Sequence, residues 1–140
     1  FDSYSGALQI GDTGGVLTNN GRVSALDFTV ANNYAPTFVV GSDVTPQLSY
    51  GMSAIKGTLT TYYEDDSMLN RFLNETETAL SISVDDPSGL NAYTFFFPRI
   101  KINSGTVGVS GEEGSRMVEA SFVALYDSTE ETDLSITRPT

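Results

Sequence analysis

The sequence predicts a mainly β protein: an antiparallel β-sandwich or barrel of about seven strands with one short flanking α-helix around Ser67–Asn74. Three observations carry this. Several segments alternate apolar and polar residues, the signature of half-buried strands. Clusters of Gly, Asn, Asp, Ser and Pro punctuate them at turn positions. In one place only, between Tyr63 and Leu80, does the period change from two to that of a helix. Many strands with a lone helix fit a sandwich or barrel with the helix on one side.

The elements follow in order. Phe1–Ile10 reads as a first strand, with Tyr4, Leu8 and Ile10 inward. Gly11–Gly21 is turn-rich, and Asn20-Gly21 is a hairpin turn signal. In Arg22–Asn33, Leu26, Phe28 and Val30 alternate with Asp27 and Thr29, and Asn32-Asn33 ends the strand. Tyr34–Pro46 is a loop carrying a short apolar piece, Phe38–Val40.

The central unit is strand, helix, strand. Ser53–Tyr63 places Ile55, Leu59, Thr61 and Tyr63 on one side. Met68, Leu69, Phe72 and Leu73 then form one face of a helix, with Asp65 and Asp66 at its start and Asn74 at its stop. A helix this short is not stable alone, so it must lie on an apolar surface. Leu80, Ile82 and Val84 alternate with Ser81 and Ser83 in the next strand.

Asp85–Asn91 is a turn built on Pro87 and Gly89. Tyr93–Ile102 is the most apolar strand, and its Pro98 requires an edge, a bulge or a bend. Asn103–Ser115 reads as a long Gly-rich loop. Arg116–Asp127 places Val118, Ala120, Phe122, Ala124 and Tyr126 on one face. An acidic turn, Asp127–Asp133, leads to a terminal strand at Leu134–Thr137.

Composition narrows function. The 140 residues suffice for one domain over residues 1–140. There is no apolar run of about 18 residues, and no signal or transit peptide is visible. The first residue is Phe1, so a processed or truncated N-terminus is expected. Cys and His are absent, which removes disulfides, thiolate sites and imidazole chemistry. The net charge of −11 opposes nucleic-acid binding in the ordinary sense.

Acidic clusters invite a calcium reading, but none has the spacing of a calcium-binding loop. Glu64-Asp65-Asp66, Asp85-Asp86 and Glu130-Glu131 with Asp133 suit helix ends and turns. Paired carboxylates for glycoside hydrolysis lack a Trp platform and any mark of facing each other. Asn74-Glu75-Thr76 matches a glycosylation sequon, a common chance match. No catalytic, cofactor-binding or metal-ligating residue is assigned, and no cofactor is expected.

The strand faces say more. Asp27, Thr29, Lys56, Thr58, Thr60, Glu119 and Ser121 point away from the expected core. Such a face suits either solvent or a water-filled bore. Two loop regions exceed what a compact domain needs, and partner contact is one use for them. Their candidate contact residues are Thr37, Phe38, Ser42, Gly105, Val107, Val109 and Glu112.

Five pieces in this order resemble the tail tube proteins of long-tailed bacteriophages. They are VSALDFTVANNY, TFVVGSD, MSAIKGTLTTYYEDDSMLNRFLNETETALSI, YTFFFPRIKI and MVEASFVALYDS. The match runs from about Val23 to Ile136 and is similar to the C-terminal half of longer members. The resemblance implies a non-enzymatic structural virion protein. Six copies would close a ring, and stacked rings would form a conduit for DNA ejection. It implies partners as well: further copies of the chain, other tail or tail-tip proteins, and double-stranded DNA that passes without specific binding, with no membrane. It implies assembly in the bacterial cytoplasm and residence in the phage tail, with the polar face lining the bore and the two loop regions reaching neighbours. The competing reading is a β-sandwich binding module of surface-adhesin or carbohydrate-binding type.

Overall fold

Strand pairing around the most apolar segment sets the architecture. The computed structural model describes residues 7–19, 23–36, 40–41, 48–49, 51–63, 70–71, 73–85, 92–109 and 116–138. Its strands are β1 (Ala7–Asp12), β2 (Thr18–Asn19), β3 (Val23–Ala31), β4 (Ala35–Pro36), β5 (Leu48–Ser49), β6 (Ala54–Tyr62), β7 (Thr78–Asp85), β8 (Ala92–Val109), β9 (Arg116–Ala124) and β10 (Ser135–Thr137). The main sheet runs β2-β1-β7-β8-β9-β6-β3, with β10 added to β8. Every pairing is antiparallel. β4, within the predicted Tyr34–Pro46 loop, and β5, just after it, form a separate two-stranded ribbon.

The sheet does not close, but it curls strongly. Phe28 on the edge strand β3 reaches back to β8, three strands away. Its ring lies 5.7 Å from that of Phe95 and 5.3 Å from that of Phe97. Phe97 also meets Phe122 of β9 at 5.9 Å, edge to face. Around these four rings lie Leu8, Ile10, Ile55, Leu59, Leu80, Ile100, Ile102, Ala120 and Ala124. The predicted alternation of β6 holds, because Ile55, Leu59 and Thr61 are all buried. Gly57 shares their side. A Cβ there would sit 2.5 Å from the Asp27 carbonyl and 2.5 Å from the Phe122 ring, so only glycine lets β3 and Phe122 close on β6.

Pro98 sits at a bulge. Leu80 pairs with Phe97 and Thr78 with Ile100, so Pro98 and Arg99 together oppose Ala79. At the same point β8 changes its second partner from β10 to β9. A residue without an N–H is tolerated where the ladder is already broken.

Three expectations are corrected. Asn103–Val109 is strand and not loop, because β9 pairs with it to its end. Gly, Ser and Asn make NSGTVGV look like a turn, yet Gly105 opposes Ala120 and Val107 opposes Val118. A partner strand overrides that local preference. Tyr126 is exposed, because the ladder ends at Ala124 and a tight turn closed by the Asp127–Thr132 bridge follows. Strict alternation fails at the start of β7, where Thr78, Ala79 and Leu80 are all buried. Thr78 there also accepts a hydrogen bond from the Arg71 guanidinium.

The helix itself is described only at its C-terminal end, at Asn70, Arg71 and Leu73. It closes as a Schellman motif. The Asn74 N–H donates to the Asn70 carbonyl, the Thr76 N–H donates to the Arg71 carbonyl, and Glu75 takes a φ of 51°. The rest of the predicted helix start lies outside the described residues, as do Tyr4, Asn20, Gly21, Pro87 and Gly89.

Ion pairs fasten this helix end to the sheet. Arg71 reaches Asp12 of β1 at 2.6 Å, and Lys101 of β8 reaches Glu75 at 2.6 Å. Arg99 grips Glu77 with both ends of its fork: Nε donates to Oε2 at 2.8 Å, and Nη2 donates to Oε1. The hydrogen bond from Arg99 holds the Glu77 carboxyl below its ordinary 4.5, and that from Lys101 does the same for Glu75. Backbone N–H groups of Glu130 and Thr129 lower Asp127. Depressed carboxylates stabilise the fold above their unfolded pKa and lose that contribution as pH falls through the folded value. The melting temperature is therefore expected to hold at neutral pH and to fall as pH drops below about 4.5. Glu77→Gln should start lower and decline less steeply in that window. Parallel melting curves for the two proteins across it would refute the coupling.

Candidate functional site

The seven predicted polar-face residues come together on one surface. Register across β3, β6 and β9 sets them in rows. Thr29, Lys56 and Val123 form one row, Asp27, Thr58 and Ser121 the next, and Ala25, Thr60 and Glu119 the third. Residues directly opposite in antiparallel pairs share a face, so these rows share the side turned away from the core. Asp27, Thr29, Lys56 and Glu119 are exposed, and the three hydroxyl residues between them are half-buried. Thr29, Lys56, Asp27, Thr58 and Ser121 from the first two rows line a depression together with Asn103, Phe28, Gly57 and Phe122.

The face extends onto β8 through residues that sequence reasoning placed in a loop. Ser104 opposes Ser121, and Thr106 opposes Glu119. The signal was the alternation in Thr106-Val107-Gly108-Val109, hidden by its glycine. The bulge at Asn103, where one extra β8 residue separates the Ile102 and Ser104 pairings, puts Ser104 and Thr106 on this face. Other polar strand residues are used elsewhere. Arg99 and Lys101 lie under the helix end, and the Ser83 hydroxyl accepts from the Ala7 N–H.

Four strands thus form a sub-sheet: the last part of β8, then β9, β6 and β3. Among the described residues both of its margins are open. β3 pairs with β6 on one side and with no described residue on the other. β7 follows β8 only as far as Ile100, so beyond that point β8 pairs, among the described residues, with β9 alone. β3 carries neither Pro nor Lys, the usual guards of a free edge. Each margin also leaves an apolar side chain in solvent, Val30 on β3 at 44% and Val107 on β8 at 43%. A long, unguarded, partly apolar edge is a template for another strand.

Of the predicted contact residues, Gly105 and Val107 belong to this open β8 margin, and Val109 is its last residue. Thr37, Phe38, Ser42 and Glu112 lie outside the described residues. The acidic turn has a local structural role. The Asp127 carboxylate accepts from the N–H groups of Thr129 and Glu130, and the Ser53 hydroxyl donates to Asp133.

The chain matches the family described as Phage tail tube protein over residues 1–124. It belongs to that family. A tail tube family member is a structural subunit. Several solved structures share the fold. The tail of an empty gene transfer agent particle, refined with C6 symmetry, superposes with a TM-score of 0.68 at 11% identity, covering 98% of each chain. The sheath–tube complex of the PVC extracellular contractile injection system in its extended state gives 0.67 at 11%, covering 99% of this chain and 90% of that one. The SPP1 tail tube gives 0.62 at 14%, covering 87% and 74%. At these identities the likeness is one of fold. None of the curated protein sequences matches the chain.

Proposed function

We propose that this tail tube subunit assembles head to tail into six-membered rings through the two open margins of its four-stranded sub-sheet, and that the rings stack into a conduit for double-stranded DNA. The observation that carries the reading is the pair of free edges. Four strands is an even number, so β3 and the end of β8 run in opposite directions. A rotation that keeps strand directions brings β3 of one copy beside β8 of the next in antiparallel order. That contact is heterologous, and it ends when the rotation closes a ring. Six is the order of symmetry of the similar gene transfer agent tail.

Six copies of four strands make a closed barrel with no free edge. Strand spacing near 4.8 Å and a tilt near 40° give it a backbone diameter of roughly 45–50 Å. The polar face turns into the bore, because the opposite face packs the core. Such a bore admits a duplex with room for side chains. The contact residues outside the described segments, with Gly105, Val107 and Val109, would reach adjacent subunits or rings. Other tail or tail-tip proteins would cap the tube, assembly would occur in the bacterial cytoplasm, and the tube would reside in the virion tail. A geometric role of this kind needs no catalysis.

Negative-stain electron microscopy of the purified chain, with its mass from light scattering, tests the reading. Rings or tubes with sixfold end views are expected. A monodisperse monomer at high concentration would sink it.

A further inference from the structure

The register fixes which charges the polar face carries. In successive rows along the strands stand Lys56, then Asp27, then Glu119, with about 7 Å from row to row. Lys101 falls in the Lys56 row, but its ammonium is committed to Glu75. None of the other three has an ion-pair partner among the described residues. The remaining positions of these rows are hydroxyls, alanine and valine. Among the described residues, two carboxylates and one unpaired ammonium leave these rows at −1, against −11 for the whole chain. The acidic excess therefore lies elsewhere, much of it on turns such as Asp127–Asp133. These rows combine a small negative excess with one cationic level.

We propose that Lys56 is a phosphate contact, repeated around the bore as one cationic band per ring beside acidic bands of Asp27 and Glu119. The proposal rests on the tube reading above. A lysine ammonium is a point charge on a flexible stem, suited to phosphate at any register. Thr29 opposes Lys56 across the strands and adds a neutral donor beside it. A duplex riding against the wall meets attraction at one level of each ring and repulsion at the next two. The outcome is a shallow, salt-dependent hold that a moving duplex leaves as easily as it enters.

The test uses tubes assembled from the whole chain, checked by electron microscopy for every variant. A short labelled linear DNA duplex is the probe, and its co-sedimentation is measured between about 50 and 200 mM salt. Wild-type tubes should retain duplex at low salt and release it as salt rises. Lys56→Gln should lower retention roughly tenfold at low salt and flatten the salt dependence. Asp27→Asn should raise retention severalfold, and Arg116→Gln, off this face, should leave it unchanged. Intact tubes that retain duplex equally well with Lys56→Gln would overturn the proposal, as would wild-type tubes that retain none. Failure of the wild-type chain to form tubes would instead strike the tube reading.

Discussion

Of the two substitutions Thr29→Pro and Val30→Pro, one is expected to keep the melting temperature of the monomer and lose assembly. The other is expected to lose monomer stability. Successive residues of an antiparallel strand direct their N–H groups to opposite sides. On β3 one side is the β6 ladder and the other pairs with no described residue. Proline removes the N–H and adds bulk wherever it lies. On the open side it costs the folded chain little, since edge strands tolerate proline. There it deletes an intersubunit hydrogen bond and displaces the partner strand. One such bond contributes about 0.5–1.5 kcal/mol net, and the clash adds to it. Each subunit takes part in two such contacts, so the concentration needed for assembly should rise about tenfold or more. Melting curves and electron microscopy on the same samples separate the two effects. Should both variants assemble normally, β3 is not an interface strand.

Phe97→Ala is expected to produce the largest loss of stability. Phe97 is fully buried and joins three parts of the fold, meeting Phe28 of β3 and Phe122 of β9 from its place on β8. Truncation removes a large apolar group and leaves a cavity that the stiff strands cannot fill. Such changes cost about 3–5 kcal/mol. The lost edge-to-face contacts are part of the cost, since aromatic pairs contribute about 0.5–1.5 kcal/mol beyond their buried area. Against a total stability of about 5–15 kcal/mol, this takes a large share. Denaturant unfolding should show a lower midpoint, and Phe97→Leu should recover much of it. A loss under about 1 kcal/mol would mean that β3 does not lean on β8 in solution.

The two predictions address different faces of one sheet. Phe97 works on the concave side, where the curl of the sheet brings β3 over β8. The proline pair works on the margin that this curl leaves open. A variant failing in one assay and passing in the other shows that folding and assembly use separate surfaces.

What the sequence by itself determined was periodicity. Alternation in Arg22–Asn33, Ser53–Tyr63 and Arg116–Asp127 assigned inward and outward residues, because a strand's side chains change face at every step. All seven polar-face residues follow from that rule alone. The switch to a helical period located the helix end described at Asn70, Arg71 and Leu73, and Pro98 required an edge, a bulge or a bend because it has no N–H to donate.

Pairing is what only the tertiary structure decided. Nothing local tells Asn103–Val109 that β9 will lie beside it, so its glycines and serine suggested a loop. Nothing local ends the alternation before Tyr126, since the end comes from the turn at Asp127–Thr132. The rows that set Lys56, Asp27 and Glu119 in order depend on register between strands distant in sequence. The same holds for the two open margins. An edge is defined by the absence of a partner, and a strand's own residues carry little record of who pairs with it.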